Sequence, residues 1–308
     1  MRGALTKIRL AAATLWLAAL LCASPLLAQD TNGIIVFETD FGLKDGAVSA
    51  MRGVAVSVDP TLRLENLTHE IPALDIWEGA YRLNTTAPYW PPGTVFVAVI
   101  DPGVGTERNA VVLKTRSGHY FVSPDNGTLT LVAEDLGIAA VRAIDESRYR
   151  RPGSELSYTF HGRDVFSYAA AHLASGKIGF AEIGPELPRE VMTIPYQKPE
   201  IEGEVVRGNI PILDVQFGNV WTNIDRATFE RLGVAKGERV AVRIFNGNEQ
   251  VFAGAMPYVS TFGDVPEGET LLYLNSVDNV ALAINWGNFA ETYRVDSGPE
   301  WRVEVARR

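Results

Sequence analysis

Apolar runs alternate with segments of helical spacing through the first hundred residues. Ile34–Phe37 is typical of a buried strand, and apolar positions three or four apart follow it from Ala47 to Val56. Leu62–Leu67 predicts a second strand, Asp75–Asn84 a helix, and Val95–Ile100 a third strand. This alternation predicts a mainly parallel sheet with helices on both faces.

The second half of the chain has a different pattern. A hairpin-like pair and the helical segment Val165–Ala174 precede it, and short β-type runs separated by Gly and Asn turns then dominate. These runs predict a smaller, mostly antiparallel β domain. They are Ile210–Val215, Val240–Phe245, Val251–Ala255, Thr270–Leu274, Ala281–Ile284 and Trp301–Val305.

A proline-rich stretch separates the two patterns, since four prolines fall between Gly184 and Glu202 and few positions there are periodic. We therefore expect an α/β protein of two domains. The N-terminal α/β domain spans residues 29–190, a linker 191–203, and the C-terminal β domain 204–308.

Residues 1–28 have the features of a secretory signal peptide. Arg2, Lys7 and Arg9 precede the almost wholly apolar Leu10–Leu21, and Ser24–Ala28 resembles a processing site. An uncleaved membrane anchor and a lipidated N-terminus are the alternatives, but the apolar run is shorter than the roughly 20 residues that a span needs. The segment predicts a periplasmic or secreted bacterial protein.

Composition and charge narrow the function classes. The 308 residues include 28 Lys and Arg against 37 Asp and Glu, a net charge of −9 that argues against nucleic-acid binding. The single cysteine, Cys22, precedes the predicted cleavage site, so the mature chain would contain no disulfide and no thiol chemistry.

Polar residues follow the predicted parallel strands, where ligands bind in such sheets. Asp40, His69 and Asp101 all fall at these strand ends. Asp40 is suited either to bind a diol or to cap a turn. Asp101 begins a Pro-Gly/Val-Gly turn that leads to Arg108, so the two could form a loop-fixing ion pair. A carboxylate beside arginine stays ionised and can orient a water, but it is a weak base at neutral pH.

His161 lies in a second polar cluster, between Phe160 and Asp164. Its titration range suits proton handling, although a single histidine is often structural. Asn126 is a candidate substrate-binding residue, although on sequence grounds alone the Asp-Asn-Gly turn that contains it is the stronger explanation. In the second domain Asp214 and Asn219, and further along Ser276 and the segment Asn288, Phe289 and Ala290, could bind an amino-acid group and a flat base.

Other motifs of catalytic loops are missing from the sequence. It contains no Gly-x-x-x-x-Gly-Lys-Ser/Thr loop, no Gly-x-Ser-x-Gly elbow and no Gly-x-Gly-x-x-Gly loop. The four histidines show no metal-ligand spacing, so we expect no metal and no other cofactor. A dinuclear metal hydrolase is an alternative, built from Asp40, His69, Asp101, Asn126 and His161.

Taken in order, several motifs resemble one family, the S-adenosyl-L-methionine (SAM) hydrolases that form adenosine. These are also called SAM hydroxide adenosyltransferases and are related to fluorinase and chlorinase. The resemblance covers about residues 34–308. The motifs are Thr39–Gly42, Thr68-His69, Asp101–Arg108, Pro124–Gly127, Phe160–Asp164 and Phe217–Asn219.

The resemblance implies a reaction and roles for residues. Water attacks ribose C5′ and displaces methionine, with the water held by an Asp-Arg-His trio that matches Asp101, Arg108 and His161. The trio is retained here, whereas halogenase relatives replace the Asp and His. The family is trimeric, with the small-molecule ligand between the first domain of one subunit and the second domain of its neighbour. Asp40 would bind the ribose, Asp214 and Ser276 the methionine part, and Asn219, Asn288, Phe289 and Ala290 the adenine.

Three positions depart from the family pattern, namely Glu38, Leu74 and Phe289. Export is also unexpected, because SAM is made in the cytosol. A non-catalytic periplasmic nucleoside-binding protein and a SAM halogenase are the other hypotheses that the sequence leaves open.

Overall fold

The computed structural model describes residues 30–214 and 216–308, and its first layer is a seven-stranded sheet. The strand order is β2-β1-β3-β5-β4-β6-β7. Strands β2, β1, β3 and β5 are parallel to one another, and β6 runs in the same direction, whereas β4 and β7 are antiparallel to their neighbours. The strands are β1 (Ile34–Thr39), β2 (Arg63–Thr68), β3 (Val95–Val99), β4 (Ala110–Thr115), β5 (Tyr120–Pro124), β6 (Ile138–Ala143) and β7 (Glu186–Leu187).

Helices cover both faces of this sheet, and so its central strands are apolar throughout. Every residue of β1 and β3 is buried. One face packs Phe37 and Val97 against Met51 and Ala170, while the other packs neighbouring strand residues against Leu83. The predicted mixed α/β class with a mainly parallel first sheet is confirmed. The helices are α1 (Ala47–Val58), α2 (Ile76–Thr86), α3 (Thr130–Asp135), α4 (Glu146–Tyr149) and α5 (Ser167–Ala174).

A π-helical turn, Gly162–Phe166, leads directly into α5. The Ser167 hydroxyl donates a hydrogen bond to the Gly162 carbonyl at 2.7 Å, five residues back, and both residues are buried. Such turns are rare and hold one extra residue within a helix. His161 is the residue immediately before this turn.

The C-terminal part contains two antiparallel sheets with an apolar core formed by residues such as Ile224, Val242, Leu282 and Val303. The five-stranded sheet has the order β13-β12-β16-β9-β8, and the four-stranded sheet β10-β11-β15-β14. The antiparallel character predicted for this part is confirmed. The elements are β8 (Glu200–Glu202), β9 (Val205–Ile210), β10 (Ile212–Leu213), β11 (Val220–Asp225), α6 (Arg226–Glu230), β12 (Arg239–Asn246), β13 (Glu249–Pro257), β14 (Thr270–Leu274), β15 (Asn279–Ile284), α7 (Phe289–Tyr293) and β16 (Gly298–Arg307).

One predicted strand is divided in the structure. The run 210–215 is apolar enough for a single strand, but Pro211 has no N–H to donate to a ladder. Strand β9 ends at Ile210, and β10 pairs separately with β11. Val215 lies outside the described residues.

The predicted signal peptide, residues 1–28, also lies outside the described residues. Within residues 30–214 and 216–308, no helix is long and apolar enough to cross a membrane.

Candidate active site

A carboxylate and an arginine meet where β3 ends and the chain turns towards β4. Arg108 donates from Nε to Oδ1 and Oδ2 of Asp101 at 3.0 and 3.1 Å, and from Nη2 to Oδ2 at 2.5 Å. Only 9% of the Arg108 side chain and 4% of the Asp101 side chain are exposed. A fork-like pair of this kind fixes both groups in one geometry. The ion pair suggested by their spacing is therefore present.

His161 joins this pair and extends it. Its Nδ1 lies 3.2 Å from Nη2 of Arg108, and its Nε2 lies 3.3 Å from Nη2 of Arg150. Arg150 in turn donates to Oε2 of Glu146 at 2.5 Å. The predicted trio is thus brought together in space, and the structure adds a second arginine–carboxylate pair on the far side of the imidazole.

The surroundings of His161 favour its neutral form. Burial lowers the pKa of His161 below the usual 6.5, and the guanidinium groups of Arg108 and Arg150 lower it further. The carboxylates of Glu146 and Asp101 oppose this effect, but each contacts its own arginine and not the imidazole. At neutral pH the ring is an uncharged group with one lone pair.

Asp40 lies after β1 on the same edge of the sheet. Its Oδ2 accepts a hydrogen bond from the backbone N–H of Leu74 at 2.8 Å. Leu74 has a φ of 68°, a left-handed conformation that is uncommon for leucine. The Asp40 side chain therefore fixes the loop before α2, where Asp75 caps the helix by accepting from Glu78 N. The other carboxyl oxygen of Asp40, Oδ1, makes no side-chain hydrogen bond among the described residues that would prevent ligand binding.

His69 has a structural explanation in its contact with the neighbouring strand. Its Nδ1 lies 2.9 Å from the Thr39 hydroxyl, and the residue is buried. The contact ties the end of β2 to the end of β1. Asp40 and His69 also line a small cavity of about 240 Å³ that includes Lys44 and Glu70.

Asn126 uses its amide to hold neighbouring backbone. Its Nδ2 donates to the Ile100 carbonyl at 2.8 Å, and its Oδ1 accepts from the Thr128 hydroxyl at 2.8 Å. Because Ile100 precedes Asp101, the side chain supports the strand end that carries the carboxylate. The predicted substrate contact has to compete with these bonds and with a third, from the Thr128 backbone N–H to Oδ1 at 3.2 Å.

Glu38 is an unusual buried acid on the α2 side of β1. Both carboxyl oxygens are buried, and neither has a hydrogen-bond partner among the described residues. Burial raises the pKa of Glu38 well above its usual value, and nearby Glu78 raises it too, while Arg82 opposes them. The side chain is therefore favoured in its protonated form.

A second group of predicted residues lies in the C-terminal part. The Asn219 amide donates to Asp214 Oδ2 at 3.3 Å, and Asp214 N donates to the Asn219 carbonyl at 2.8 Å. Gly218, with a φ of 65°, approaches Asn288 so closely that a Cβ would lie 1.9 Å from the Asn288 Oδ1. Only glycine fits this position.

The segment 288–290 connects this loop to α7. The Asn288 side chain caps the helix by accepting from Glu291 N at 2.8 Å, and Ala290 N donates to the Gly218 carbonyl at 3.0 Å. The Phe289 ring is fully buried, and its centroid lies 5.2 Å from the centroid of the Phe252 ring. Any contact that Phe289 makes with a ligand has to come from its backbone.

A cavity of about 850 Å³ opens beside these residues. Four predicted residues line it, namely Asp214, Asn219, Ser276 and Asn288. Aromatic side chains make up much of the remaining wall, a composition suited to a flat base. They are Phe217, Trp221, Phe262, Tyr273 and Trp286.

The structure thus brings the predicted residues together as two sets. Asp101, Arg108 and His161 form one continuous cluster at the edge of the first sheet, with Asp40 and Asn126 on neighbouring strand ends. The large cavity is lined only by residues numbered 214 to 288, so within the described ranges no member of the first set reaches it.

Two residues of the first cluster were missed from sequence. Glu146 and Arg150 stand four apart, a spacing typical of a helical ion pair, and the structure has them paired. That pattern is visible in the sequence, but it does not indicate that the pair adjoins His161. Cavity-lining Phe262 and Trp286 were also missed, since isolated aromatics in loops carry no positional signal.

The described residues contain no group of three or more His, Cys, Asp or Glu side chains arranged to hold a metal ion. The five residues of the metal-hydrolase alternative are therefore not gathered into such a group.

Comparison with known proteins matches both parts of the chain to one family. Residues 35–184 match the SAM hydroxide adenosyltransferase N-terminal domain, and residues 208–302 match the C-terminal domain. Among curated relatives, the (R)-S-adenosyl-L-methionine hydrolase of Salinispora tropica is 38% identical over 276 residues, covering 87% of this chain and 97% of that protein. The fluorinase of an Actinoplanes species is 30% identical over 292 residues, covering 87% and 96%.

A solved structure supports the same assignment. An uncharacterized conserved protein from Thermotoga maritima superposes with a TM-score of 0.79 at 36% identity, covering 89% of this chain and 100% of that one. The order of the motifs, the fold, both domain matches and the similarity to these relatives all point to one family. The chain belongs to the SAM hydroxide adenosyltransferase family.

Proposed function

We propose that this protein is an enzyme that hydrolyses SAM to adenosine and L-methionine. The observation that carries the proposal is the buried, continuous cluster of Asp101, Arg108 and His161 at the edge of the first sheet. Relatives 36 to 38% identical to this chain carry the name (R)-S-adenosyl-L-methionine hydrolase, which supports the same activity here.

The reaction depends more on aligning the water with the C5′–S bond than on acid catalysis. The water oxygen attacks ribose C5′, the C5′–O bond forms, and the C5′–S bond breaks with its electron pair going to sulfur. Methionine leaves as a neutral thioether, so no proton has to be given to it, and the new hydroxyl loses one proton to solvent or to a nearby group. Fixing the water in line with the breaking bond is then worth several kcal/mol.

The trio is suited to orienting that water. Both oxygens of Asp101 already accept from Arg108, so the carboxylate is a poor base. Each of those oxygens has a second lone pair with which to accept from the water, and His161, held in one orientation by its two arginines, lies beside them. Together they offer donors and acceptors whose positions do not change during the reaction, which lowers the cost of reorganisation.

The remaining predicted residues divide between the parts of the substrate. Asp40 would bind the ribose hydroxyls through the oxygen that Leu74 leaves available. Asp214 and Ser276 would bind the methionine portion, and Asn219 with Asn288 the adenine, on the walls of the 850 Å³ cavity. The backbone of Phe289 and Ala290 would add adenine contacts from beside it, where Ala290 lines a neighbouring cavity.

We further propose that the complete site forms between subunits of a homotrimer. The two residue sets share no cavity within the described chain, which supports a site that a neighbouring subunit completes. Large apolar side chains near both sets are exposed, as expected of surfaces that a subunit contact covers. They include Leu74, Leu156, Phe217 and Trp286, at 61, 91, 64 and 87% exposure.

Mixing two inactive variants tests this arrangement. His161→Ala disables the first set, and Ser276→Trp, which places a large ring in the cavity, disables the second. If sites form between subunits, co-expression of the two variants produces mixed trimers in which some sites combine two intact halves, and part of the activity returns. A monomeric mass by light scattering, or no recovery on mixing, would contradict the shared site.

The activity itself is tested by incubating purified protein with SAM and following adenosine and methionine by chromatography. We expect both products in equal amounts, unaffected by a chelator. Tight ligand binding without adenosine would instead identify a non-catalytic binding protein. A 5′-halo nucleoside on adding fluoride or chloride would identify a halogenase.

We also propose that the protein is exported and cleaved after Ala28, on the basis of the signal-like pattern of residues 1–28. Expression in a bacterium followed by fractionation and intact mass measurement tests this. A full-length mass in the cytosolic fraction would contradict export.

A further inference from the structure

The imidazole of His161 is held between two arginines, each with its own carboxylate. Arg108, on the Nδ1 side, is paired with Asp101, and Arg150, on the Nε2 side, is paired with Glu146. The two contacts are nearly equal in length, at 3.2 and 3.3 Å. The side of Arg108 belongs to the proposed trio, whereas the side of Arg150 has no role in the function proposed above.

Arg150 is fixed in place by its own neighbours. Its Nη1 donates to the Ser157 carbonyl at 3.2 Å, and only 12% of its side chain is exposed. The next residue, Arg151, binds Asp164 twice, from its side chain to Oδ1 at 2.9 Å and from its backbone N to the carbonyl at 2.8 Å. The loop that carries Arg150 is therefore fastened to the turn that follows His161.

Donor and acceptor counting shows what this arrangement does to the imidazole. Guanidinium nitrogens only donate, and a neutral imidazole has one lone pair for them. A protonated imidazole has none, and it places a third positive charge between the two guanidiniums. Protonation of His161 therefore costs a hydrogen bond and adds repulsion on both sides of the ring.

We propose that Arg150, oriented by Glu146, is a positioning residue that keeps His161 neutral for the hydrolysis. This inference rests on the proposed function, because a neutral ring matters only if His161 helps to hold the water. Arg150 acts through His161 and contacts no reacting atom.

The groups that bear on the charge of His161 come from two connections. Asp101 and Arg108 lie between β3 and β4, and Glu146 and Arg150 lie on and just after α4. Removing Arg150 and removing Glu146 should therefore change the protonation of His161 in opposite directions. Losing the cation leaves Glu146 to favour a protonated ring, whereas losing the carboxylate leaves Arg150 to disfavour it.

Paired variants of this salt bridge provide the test. In Arg150→Gln the titration midpoint of His161 should move to higher pH, and in Glu146→Gln it should stay low or move lower. Arg150→Lys retains the charge and should restore the low midpoint. The acid limb of kcat/KM should follow the midpoint, so that Arg150→Gln loses activity below about pH 6.5 while keeping most of it at about pH 8.

The midpoints are read by NMR of labelled histidine side chains, with His161 assigned from the His161→Ala spectrum. The His119 resonance, in the β4–β5 hairpin, serves as the folding control and should keep its wild-type chemical shift at a fixed pH. A pair with only a structural role would give both variants the same sign of effect on stability and leave the His161 midpoint unmoved, which would overturn the proposal.

The readout also separates this inference from the proposed function. If the wild-type protein forms no adenosine but the midpoints shift in opposite directions, the hydrolase assignment fails and the electrostatic role of Arg150 stands. If adenosine forms but the midpoints do not separate, the positioning role fails and the hydrolase assignment stands.

Discussion

The polar side chains of the two candidate regions differ in what they contact. At the edge of the first sheet, both oxygens of Asp101 and both ring nitrogens of His161 already lie within bonding distance of arginine. Around the large C-terminal cavity, Asn275 Nδ2 is buried without a partner among the described residues, and the rings of Phe217 and Trp286 are largely exposed. One region is internally complete, and the other has contacts still to make.

This difference indicates a division of labour. A cluster whose members hold one another keeps its geometry with or without ligand, and it can contribute to alignment in the transition state. A cavity with open polar atoms and exposed rings gains its contacts only when it is occupied, and it contributes to affinity. Substitutions in the first region should thus affect turnover, and those in the second should affect binding.

The largest expected effect is on stability, and it tests whether Phe289 belongs to the hydrophobic core or to the wall of the cavity. Phe289→Ala should lower the free energy of unfolding by about 3–5 kcal/mol, because the ring is fully buried against Phe252 and Tyr293. Urea denaturation measures the loss, and Phe289→Leu should cost clearly less. A stable Phe289→Ala protein with weakened substrate binding would instead assign the ring to the ligand surface.

The next effect concerns turnover. His161→Ala should lower kcat by about a hundredfold while the Kd for SAM changes little, because the variant removes a fixed partner of the proposed water. Asp101→Ala should behave in the same way. Single-turnover kinetics and calorimetry measure the two quantities, and wild-type kcat in both variants would remove the trio from the mechanism.

A weaker effect is expected at the cavity. Asp214→Asn should weaken SAM binding by about tenfold, the value of a charge-assisted hydrogen bond of roughly 1.5 kcal/mol, with kcat nearly unchanged. Calorimetry with SAM and with adenosine shows which portion of the ligand is affected. If kcat falls as far as it does in His161→Ala, the proposed division between the regions does not hold.

The smallest expected effect is on the pH dependence of stability. It should arise in the N-terminal part of the chain, because residues 204–308 contain no histidine. Burial lowers the pKa of His172 below its usual 6.5, so the unfolded chain takes up that proton first. The stability from the neutral ring is present above about pH 6.5 and is lost as pH falls through the folded pKa.

His172→Phe keeps the ring contact with Tyr168, whose centroid lies 4.6 Å away, but removes the titration. Between about pH 7.5 and pH 5.5 it should lose less stability in urea than the wild type does. Comparing variant with wild type cancels the contribution of Glu38, whose raised pKa has the opposite sign. An equal loss in both proteins would show that His172 does not titrate differently on folding.

The sequence predicts regular elements and motif residues better than it predicts their contacts. Strand β3 and helix α5 are visible from periodicity, because burial on one or both faces decides them. The pairing of Arg150 with His161 is not visible, since it depends on how the loop after α4 folds back on the turn after His161. The sequence predicts Asn126 as a ligand contact, but its three local hydrogen bonds depend on side-chain geometry that a turn motif does not reveal.

The π-helical turn after His161 has a consequence for how this site tolerates changes in chain length. A π turn differs from an α turn by one inserted residue. Deleting one residue between 162 and 166 would let α5 extend backwards as a regular helix, with its apolar face still matched to the sheet. The bond from the Ser167 N–H to the Gly162 carbonyl would then span four residues, as in an ordinary α-helix, and His161 would stay close to its place beside both arginines. A single-residue gap at this turn in a homologue is therefore compatible with the same fold and the same placement of the histidine.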